Sequence, residues 1–294
     1  MRFDVASELR LFGESVRESV ADWEAPREPD LSAWLDDRDD ELGARLAQAG
    51  WQQLWESESG LDAVVAGGLE LGRGIAPICT VDEATLGAPL SVAGRIRHGS
   101  GAGTCALPLP DFGLAVGRPD GERRRERTLD GSGTIVAPIV EVERLAPEDA
   151  EARWSSWTAA TLAYLAGLAQ AALEATVEHA RRREQFGRPL GALPAIQARL
   201  ADAAVAVDGL ALTAWRAATP LDGPGGDGKP PSDTLSQGRV APLLWAGRAC
   251  RDVTLSAHQV HGAVGFALET GLHRYYRRAK SVQIWAAAVC RACA

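Results

Sequence analysis

The chain has 294 residues, 46% of them apolar and 24% charged, enough for one large or two moderate domains around a sizeable core. Thirty-nine acidic against thirty-one basic side chains give a formal charge of −8 and a pI near 5.3, which excludes the nucleic-acid backbone as the main partner because the long-range field repels it. Met1-Arg2-Phe3-Asp4 lacks the apolar stretch of a secretion signal, and five cysteines (Cys79, Cys105, Cys250, Cys290, Cys293) without a regular framework point to a reducing, cytoplasmic compartment.

In chain order, Val5, Leu9, Phe12, Val16 and Val20 recur at three- and four-residue steps and predict a first helix, ended by Pro26 and Pro29. Leu42, Leu46, Ala49 and Trp51 mark a second helix, and Leu61 to Leu71 a third that stops at Gly72-Arg73-Gly74 before Pro77. Residues 1–80 therefore read as a small helical domain. From Val81 the apolar runs shorten to Cys105–Leu109, Phe112–Val116 and Thr134–Val142, so 81–150 reads as a reduced β domain. Arg123 to Arg127, followed by Asp130-Gly131, reads there as a charged turn region between strands.

Residues 151–294 predict a four-helix bundle. Its first helix carries Leu162, Leu165, Ala169, Leu173, Val177 and Ala180; the second runs from about Leu193 to Ala218, and a Pro- and Gly-rich loop spans 219–237. The third helix covers about Val240 to Val260 and the fourth about Leu268 to Cys290. Trp157 to Leu173 is apolar enough to suggest a membrane span, but Thr158, Thr161 and Gln170 interrupt it, so a buried helix is expected and no membrane.

Two segments carry candidate chemistry. Arg181-Arg182-Arg183-Glu184-Gln185-Phe186-Gly187-Arg188-Pro189 gathers guanidinium groups where a helix ends. Cations suit that end of the helix dipole, and an arginine leaving it can also grip a phosphate bidentately. His258-Gln259-Val260-His261-Gly262-Ala263-Val264-Gly265-Phe266 sets two glycines three apart, where backbone can approach a ligand. His258 and His261 share a helix face, but no Cys, Asp or further His stands at ligand spacing, so no metal is expected; Asp252 reads as a cap or an ion-pair partner. Cys290-x-x-Cys293 reads as thiols of a frayed tail, not a metal or redox pair.

Taken jointly, these segments resemble the acyl-CoA dehydrogenase family. Arg183-x-Gln185-Phe186-Gly187 with Ile196-x-x-Arg199-Leu200-Ala201-Asp202 looks like the first half of its C-terminal bundle. Gln259-x-His261-Gly262-Ala263-Val264-Gly265-Phe266 with Leu272-His273-Arg274-Tyr275-x-Arg277-Arg278-Ala279-Lys280 looks like the second half. Leu46-Ala47-x-x-Gly50-Trp51 and Glu70-Leu71-Gly72-Arg73-x-Ile75-Ala76-Pro77 are similar to its N-terminal patterns. The resemblance is strong over 155–285 and thin over 82–145. It implies a mainly α fold with a small β domain, and dimers and tetramers built around FAD. It also implies that Arg183, Phe186, Gln259, Gly262 and Gly265 reach the ADP half of a flavin seated mainly in a neighbouring subunit.

The departures share a direction. Oxidising an acyl-CoA needs a carboxylate to take the α-proton while the flavin accepts the β-hydride. One family branch carries that base where this sequence has Trp285-Ala286-Ala287-Ala288, which puts Ala286 at the site. The other branch carries it where this chain has Trp157. The family's Thr-Glu-x-x-x-Gly-Ser-Asp and Trp-Ile-Ser/Thr stretches are absent from the middle segment, and Pro194 replaces a cofactor-contacting glutamine. The resemblance thus implies a degenerate subunit of an α2β2 acyl-CoA dehydrogenase. It would share FAD with a full-length partner subunit, act on an acyl-CoA as bulky as a steroid side chain, and pass electrons to an electron-transfer flavoprotein. A third placement of the base, at Glu174 or Glu178, falls on the charged stretch of the helix and reads as a solvated face. Two alternatives stay open: a self-sufficient homomer using Glu178 or Glu269 as base, and a non-redox scaffold of the same fold.

Overall fold

The computed structural model describes residues 7–23, 39–51, 60–97, 103–130, 132–219 and 232–294. The early helical stripe forms α1 (Ser7–Trp23), which buries Val16 and Val20; Val5, Pro26 and Pro29 lie outside the described residues. Helix α2 (Asp39–Gln48) buries Leu42 and Leu46 and leads into Trp51, whose indole Nε1 donates to the Thr80 carbonyl at 2.9 Å. Helix α3 (Gly60–Arg73) ends where expected, and Tyr164 anchors the following turn by donating its hydroxyl to the Ala76 carbonyl at 2.5 Å.

The helical region does not stop at residue 80. Helix α4 (Cys79–Leu86) runs across that boundary and ends on Gly87, whose φ of 77° gives a left-handed cap. Its Thr and Val content reads as β-prone, but burial outweighs propensity here. Thr80 and Thr85 satisfy their hydroxyls on the carbonyls of Pro77 and Val81, and nearly every residue of the helix is buried.

Two small antiparallel sheets follow. Strands β1 (Ser91–Val92), β2 (Arg95–Ile96), β3 (Cys105–Leu109), β4 (Gly113–Pro119), β5 (Arg124–Arg127), β6 (Gly133–Val136) and β7 (Ile139–Arg144) pair in the orders β1-β2-β6-β5 and β3-β4-β7. Ile135 on β6 lies opposite Ile96 on one side and Arg125 on the other. Ile96, Cys105, Ile135 and Ala137 form a minor core. Two expectations need correction. Arg124 to Arg127 is an edge strand, not a turn; pairing on one side only leaves its charged side chains toward water. The Thr134–Val142 run splits into β6 and β7 at Ala137-Pro138, where proline lacks an N–H for the ladder.

The bundle consists of α5 (Pro147–Arg182), α6 (Pro194–Ala218), α7 (Ser232–His261) and α8 (Leu272–Cys293), with a short hairpin, β8 (Glu184–Gln185) and β9 (Arg188–Pro189), between the first two helices. By length and apolarity α5 could cross a membrane, yet every residue from Ser156 to Ala169 is buried inside the fold. It begins at Pro147, a few residues before the boundary placed at 150/151. Helices α3 and α5 meet backbone to backbone: a Cβ on Gly72 would lie 2.0 Å from the Tyr164 carbonyl oxygen, and one on Gly167 would lie 1.9 Å from that of Leu69.

Three further boundaries move. Of the expected loop 219–237, residues 220–231 lie outside the described residues and 232–237 already belong to α7, whose Ser232-Asp233-Thr234 start is a helix-initiating sequence. Helix α8 starts at Leu272, not Leu268, because Gly271 with a φ of 65° separates it from a 3-10 turn at Leu268–Thr270. Cys290 and Cys293 are not a frayed tail: both are buried in the last turns of α8, and burial pushes the Cys293 thiol up to about 12. All five cysteines are free thiols.

A buried ion pair ties the sheets to the bundle. Arg278 of α8 lies 3.0 Å from Asp130, and Arg277 Nε donates to the Leu129 carbonyl at 2.5 Å. Burial alone would raise the Asp130 carboxyl, but the Arg278 guanidinium and hydrogen bonds from Thr128 and Ser132 bring it below the ordinary range.

Candidate functional site

The last turn of α5 hands the chain to the hairpin. The Arg183 N–H donates to the His179 carbonyl at 2.8 Å, and the Leu190 N–H donates to the Arg183 carbonyl at 2.8 Å, closing the hairpin's base. Phe186 and Gly187 form its two-residue turn with φ values of 54° and 73°, both left-handed. Glycine adopts this freely, whereas phenylalanine pays about 1 kcal/mol or more for it. The Phe186 ring is nonetheless 88% exposed, and Arg183 and Arg188 are exposed beside it. Among the described residues the ring is left almost uncovered, so a strained turn presents an aromatic face to its surroundings.

The glycine turn is placed by the end of α7. Arg199 of α6 donates from Nη1 to Gln259 Oε1, which leaves the amide NH₂ of Gln259 as its outward donor. Gly262 has a φ of 65° and open space around a Cβ, so its backbone is approachable. Gly265 differs: it is buried, and a Cβ there would come within 2.8 Å of His261 Cβ and 3.1 Å of the His258 carbonyl. Its lack of a side chain serves the packing of the turn.

The two segments are joined by a ring stack. His179 and His261 lie face to face, centroids 4.1 Å apart and planes 25° apart, just before the hairpin and the turn respectively. His258 and His261 each place Nδ1 2.9 Å from the carbonyl four residues back, so Nδ1 carries the proton in both. Burial, then the opposed ring and the Arg183 and Arg182 charges, lower His179; burial and His258 lower His261. Among the described residues no group of three or more His, Cys, Asp or Glu side chains could hold a metal ion. Asp252 ion-pairs with Arg251 at 2.5 Å.

The two expected base positions lie inside solid core. Trp157 is fully buried and donates its indole Nε1 to Asp82 Oδ1 at 2.9 Å. Asp82 in turn is gripped by Arg97, whose Nε donates to Oδ2 at 2.8 Å and whose Nη2 donates to Oδ1. Both members are almost completely buried. The guanidinium sits 5.3 Å from the ring centroid of Trp285, the neighbour of Ala286, and Ala286 is itself buried. One ion pair thus lies against Trp157 on one side and the ring of Trp285, the residue before Ala286, on the other. Asp82 is a carboxylate beside Trp157, but with four donors on it (the Leu90 N–H, two from Arg97 and the Trp157 indole) and no access to solvent it cannot meet a substrate proton. The remaining acids do no better: Glu174 binds Arg73 at 2.7 Å, Glu178 binds Arg182 at 3.0 Å, and Glu269 is exposed on the 3-10 turn.

Pro194, in place of a glutamine, is the first residue of α6, where a missing N–H costs nothing. Gln197, one turn later, donates to the Gly191 carbonyl at 2.9 Å and so supports the loop after the hairpin. Asp82, Arg97 and His179 were not legible as site residues, nor were the contacts they make with Trp285 and His261. The partners of these three are distant in sequence, and no motif marks Asp82, Arg97 or His179.

Residues 157–286 match the family description "Acyl-CoA dehydrogenase, C-terminal domain". The chain is 29% identical over 203 residues to the mitochondrial short-chain specific acyl-CoA dehydrogenase of Bos taurus, covering 65% of this chain and 46% of that protein. It spans less than half the length of the curated relatives it matches. Its fold is similar to that of the ChsE4-ChsE5 complex from Mycobacterium tuberculosis, with a TM-score of 0.71 and 21% identity over 98% of this chain and 96% of that one. It is also similar to a variant of the Tcur3481-Tcur3483 steroid ACAD, with a TM-score of 0.73 and 20% identity over 98% and 97%.

Proposed function

We propose, from the premise that this chain belongs to the acyl-CoA dehydrogenase family through the C-terminal domain at residues 157–286, that it is the non-catalytic subunit of a heteromeric, FAD-dependent acyl-CoA dehydrogenase. It completes the flavin site of a full-length partner subunit in an α2β2 assembly and supplies no base of its own. The observation that carries this reading is the filled core at the base positions. Trp157 and Trp285 enclose the Asp82–Arg97 pair, so neither a thioester nor an isoalloxazine ring fits there without unpacking the protein.

The nucleotide end fits better. Arg183 is an exposed, permanently charged fork for a pyrophosphate, Phe186 offers a bare aromatic face, and Gly262 lets backbone approach closely. Gln259, fixed by Arg199, adds one donor. When bound, the flavin supplies the hydride acceptor; this chain's residues hold its ADP half and keep the two turns in register. Resemblance to solved heteromeric acyl-CoA dehydrogenases supports the pairing, and a steroid-sized acyl group is the substrate class it favours. The electron acceptor is then an electron-transfer flavoprotein. A self-sufficient enzyme is less well supported, because Glu174 and Glu178 are engaged by arginines and all three candidate acids face solvent.

Co-expression with candidate full-length partners tests the reading. Flavin absorbance should appear with the correct partner and drop when Arg183→Ala is introduced here. Equal flavin bound by this chain alone would sink it.

A further inference from the structure

Four of the chain's five histidines gather beside the two turns that face the nucleotide. His179 and His261 are stacked, and His258 lies close enough to bear on the charge of both His261 and His273. His258 is itself buried against the rings of Phe266 and Tyr276, with centroids 5.3 and 5.8 Å away.

Each member of the stack stands at the root of one grip. The His179 carbonyl accepts the Arg183 N–H at 2.8 Å, so the hairpin hangs from that residue. His261 precedes Gly262 directly and follows Gln259 by two residues. The spacing between Arg183 and the glycine turn is therefore set through the two rings, 4.1 Å apart.

The stack accepts protons badly. Nδ1–H of His261 is committed to the Ala257 carbonyl, so a further proton enters that ring at Nε2. The charges that bear on the pair are Arg182 and Arg183 from α5 and His258 from α7. From α8, His273 with Arg274 and Arg277 adds to the far side of His258. Arg199 of α6 is held on Gln259, and Glu178, next to His179 in sequence, is bound by Arg182 at 3.0 Å. One charged ring can lie on a neutral one, but two charged rings at this distance repel, so the pair titrates as a unit. Double protonation opens the stack and carries the hairpin away from the glycine turn. Arg183 already supplies a permanent charge, so the added cations strengthen the hold on a phosphate less than losing one of the two turns weakens it.

We propose that His179 and His261 are positioning residues that make retention of the nucleotide depend on protons: as neutral rings they clamp the hairpin and the glycine turn at the spacing one pyrophosphate needs, and protonated together they release it. The proposal rests on the reading of these turns as a grip on a partner's flavin and adds the condition under which that grip holds.

Flavin retained by the complex with a partner subunit, measured by absorbance after desalting at about pH 8 and about pH 5, tests it. The wild-type complex should retain about fivefold less at the lower pH. The double variant His179→Phe/His261→Phe keeps two rings and removes both protons, and should hold the two values within about twofold of each other. Either single variant should behave like the double one, because one charged ring does not open the stack. In the lone chain, NMR titration should show His179 and His261 gaining protons in two separated steps. In His261→Phe, His179 should titrate in one step at higher pH. Arg183→Ala should lower flavin at both pH values; if it does not, the flavin reading fails, whatever the titration shows. Equal acid loss in the wild type and the double variant, tighter flavin at the lower pH, or independent titration of the two rings in the lone chain would overturn the proposal.

Discussion

The indole of Trp157 is bound at 2.9 Å to the carboxylate of Asp82, a residue 75 positions earlier in the chain that is also held by Arg97. This bond turns a position that could carry a catalytic base into part of a buried electrostatic network. Asp82→Asn, nearly isosteric, leaves the Arg97 charge without its counter-ion in the interior and should cost about 3 kcal/mol or more. Chemical denaturation measures it. A loss under about 1 kcal/mol would mean that water or another group reaches Arg97.

Restoring a carboxylate should not restore chemistry. Ala286→Glu places a longer, charged side chain in a fully packed site next to Trp285, and Trp157→Glu removes a donor from Asp82 and adds a second negative charge beside it. Both variants should be less stable than the wild type and show no acyl-CoA oxidation in a dye-coupled assay of the lone chain. Turnover by either one would show that substrate can enter this core.

The α3–α5 crossing makes a sharp prediction about glycine. Gly167→Ala drives a methyl into the Leu69 carbonyl and should destabilise by about 3 kcal/mol or prevent folding. Gly43→Ala, within α2 and with nothing within 4 Å of a Cβ, should be neutral or stabilising by up to about 1 kcal/mol. Paired melting curves decide whether the contact or the residue type matters.

The histidine stack gives a pH dependence. His179 and His261 both have lowered pKa values in the fold, chiefly through burial, so below the ordinary value of 6.5 the unfolded chain takes up protons that the folded chain refuses. Their contribution to stability is therefore present above that value and is lost as pH falls through the depressed folded pKa values. His261→Phe keeps a ring on His179 without the proton and should flatten the acid side of a Tm-against-pH curve. NMR titration should find both imidazoles titrating below the free value; a normal titration at either would refute the assignment.

Phe186 offers a contrast between stability and contact. Asn tolerates the left-handed φ of 54° better, so Phe186→Asn should leave the hairpin as stable as before or more so, by about 0.5 kcal/mol. The same change should lower the flavin content of a partner complex. A drop in stability with unchanged flavin would reverse the roles assigned here.

Much of the framework could be read before any coordinates. The end of the first bundle helix could be read from Gly187 and Pro189, because helix-stopping chemistry is local, although the hairpin that follows was not foreseen, and the long apolar stripe of α5 could hardly be anything but a core helix. Helix α4 was missed because its Thr and Val residues look β-prone until α5 covers them. Strand β5 was missed because an arginine-rich edge has no apolar alternation to betray it. The filled core was illegible for a different reason: residues 82, 97, 157 and 285 come from four separate parts of the chain, three helices and the bend after β2. A lone aspartate in Val81-Asp82-Glu83 looks like any surface acid until the chain closes around it.

Helix α5, 36 residues and roughly 54 Å long, packs against the N-terminal helices α3 and α4 and against its bundle partners α6, α7 and α8. Neither the N-terminal helices nor the rest of the bundle owns it, and neither has another wall to replace it. The protein should therefore melt in a single cooperative step, and fragments severed near residue 150 should not fold independently, whichever half retains the helix.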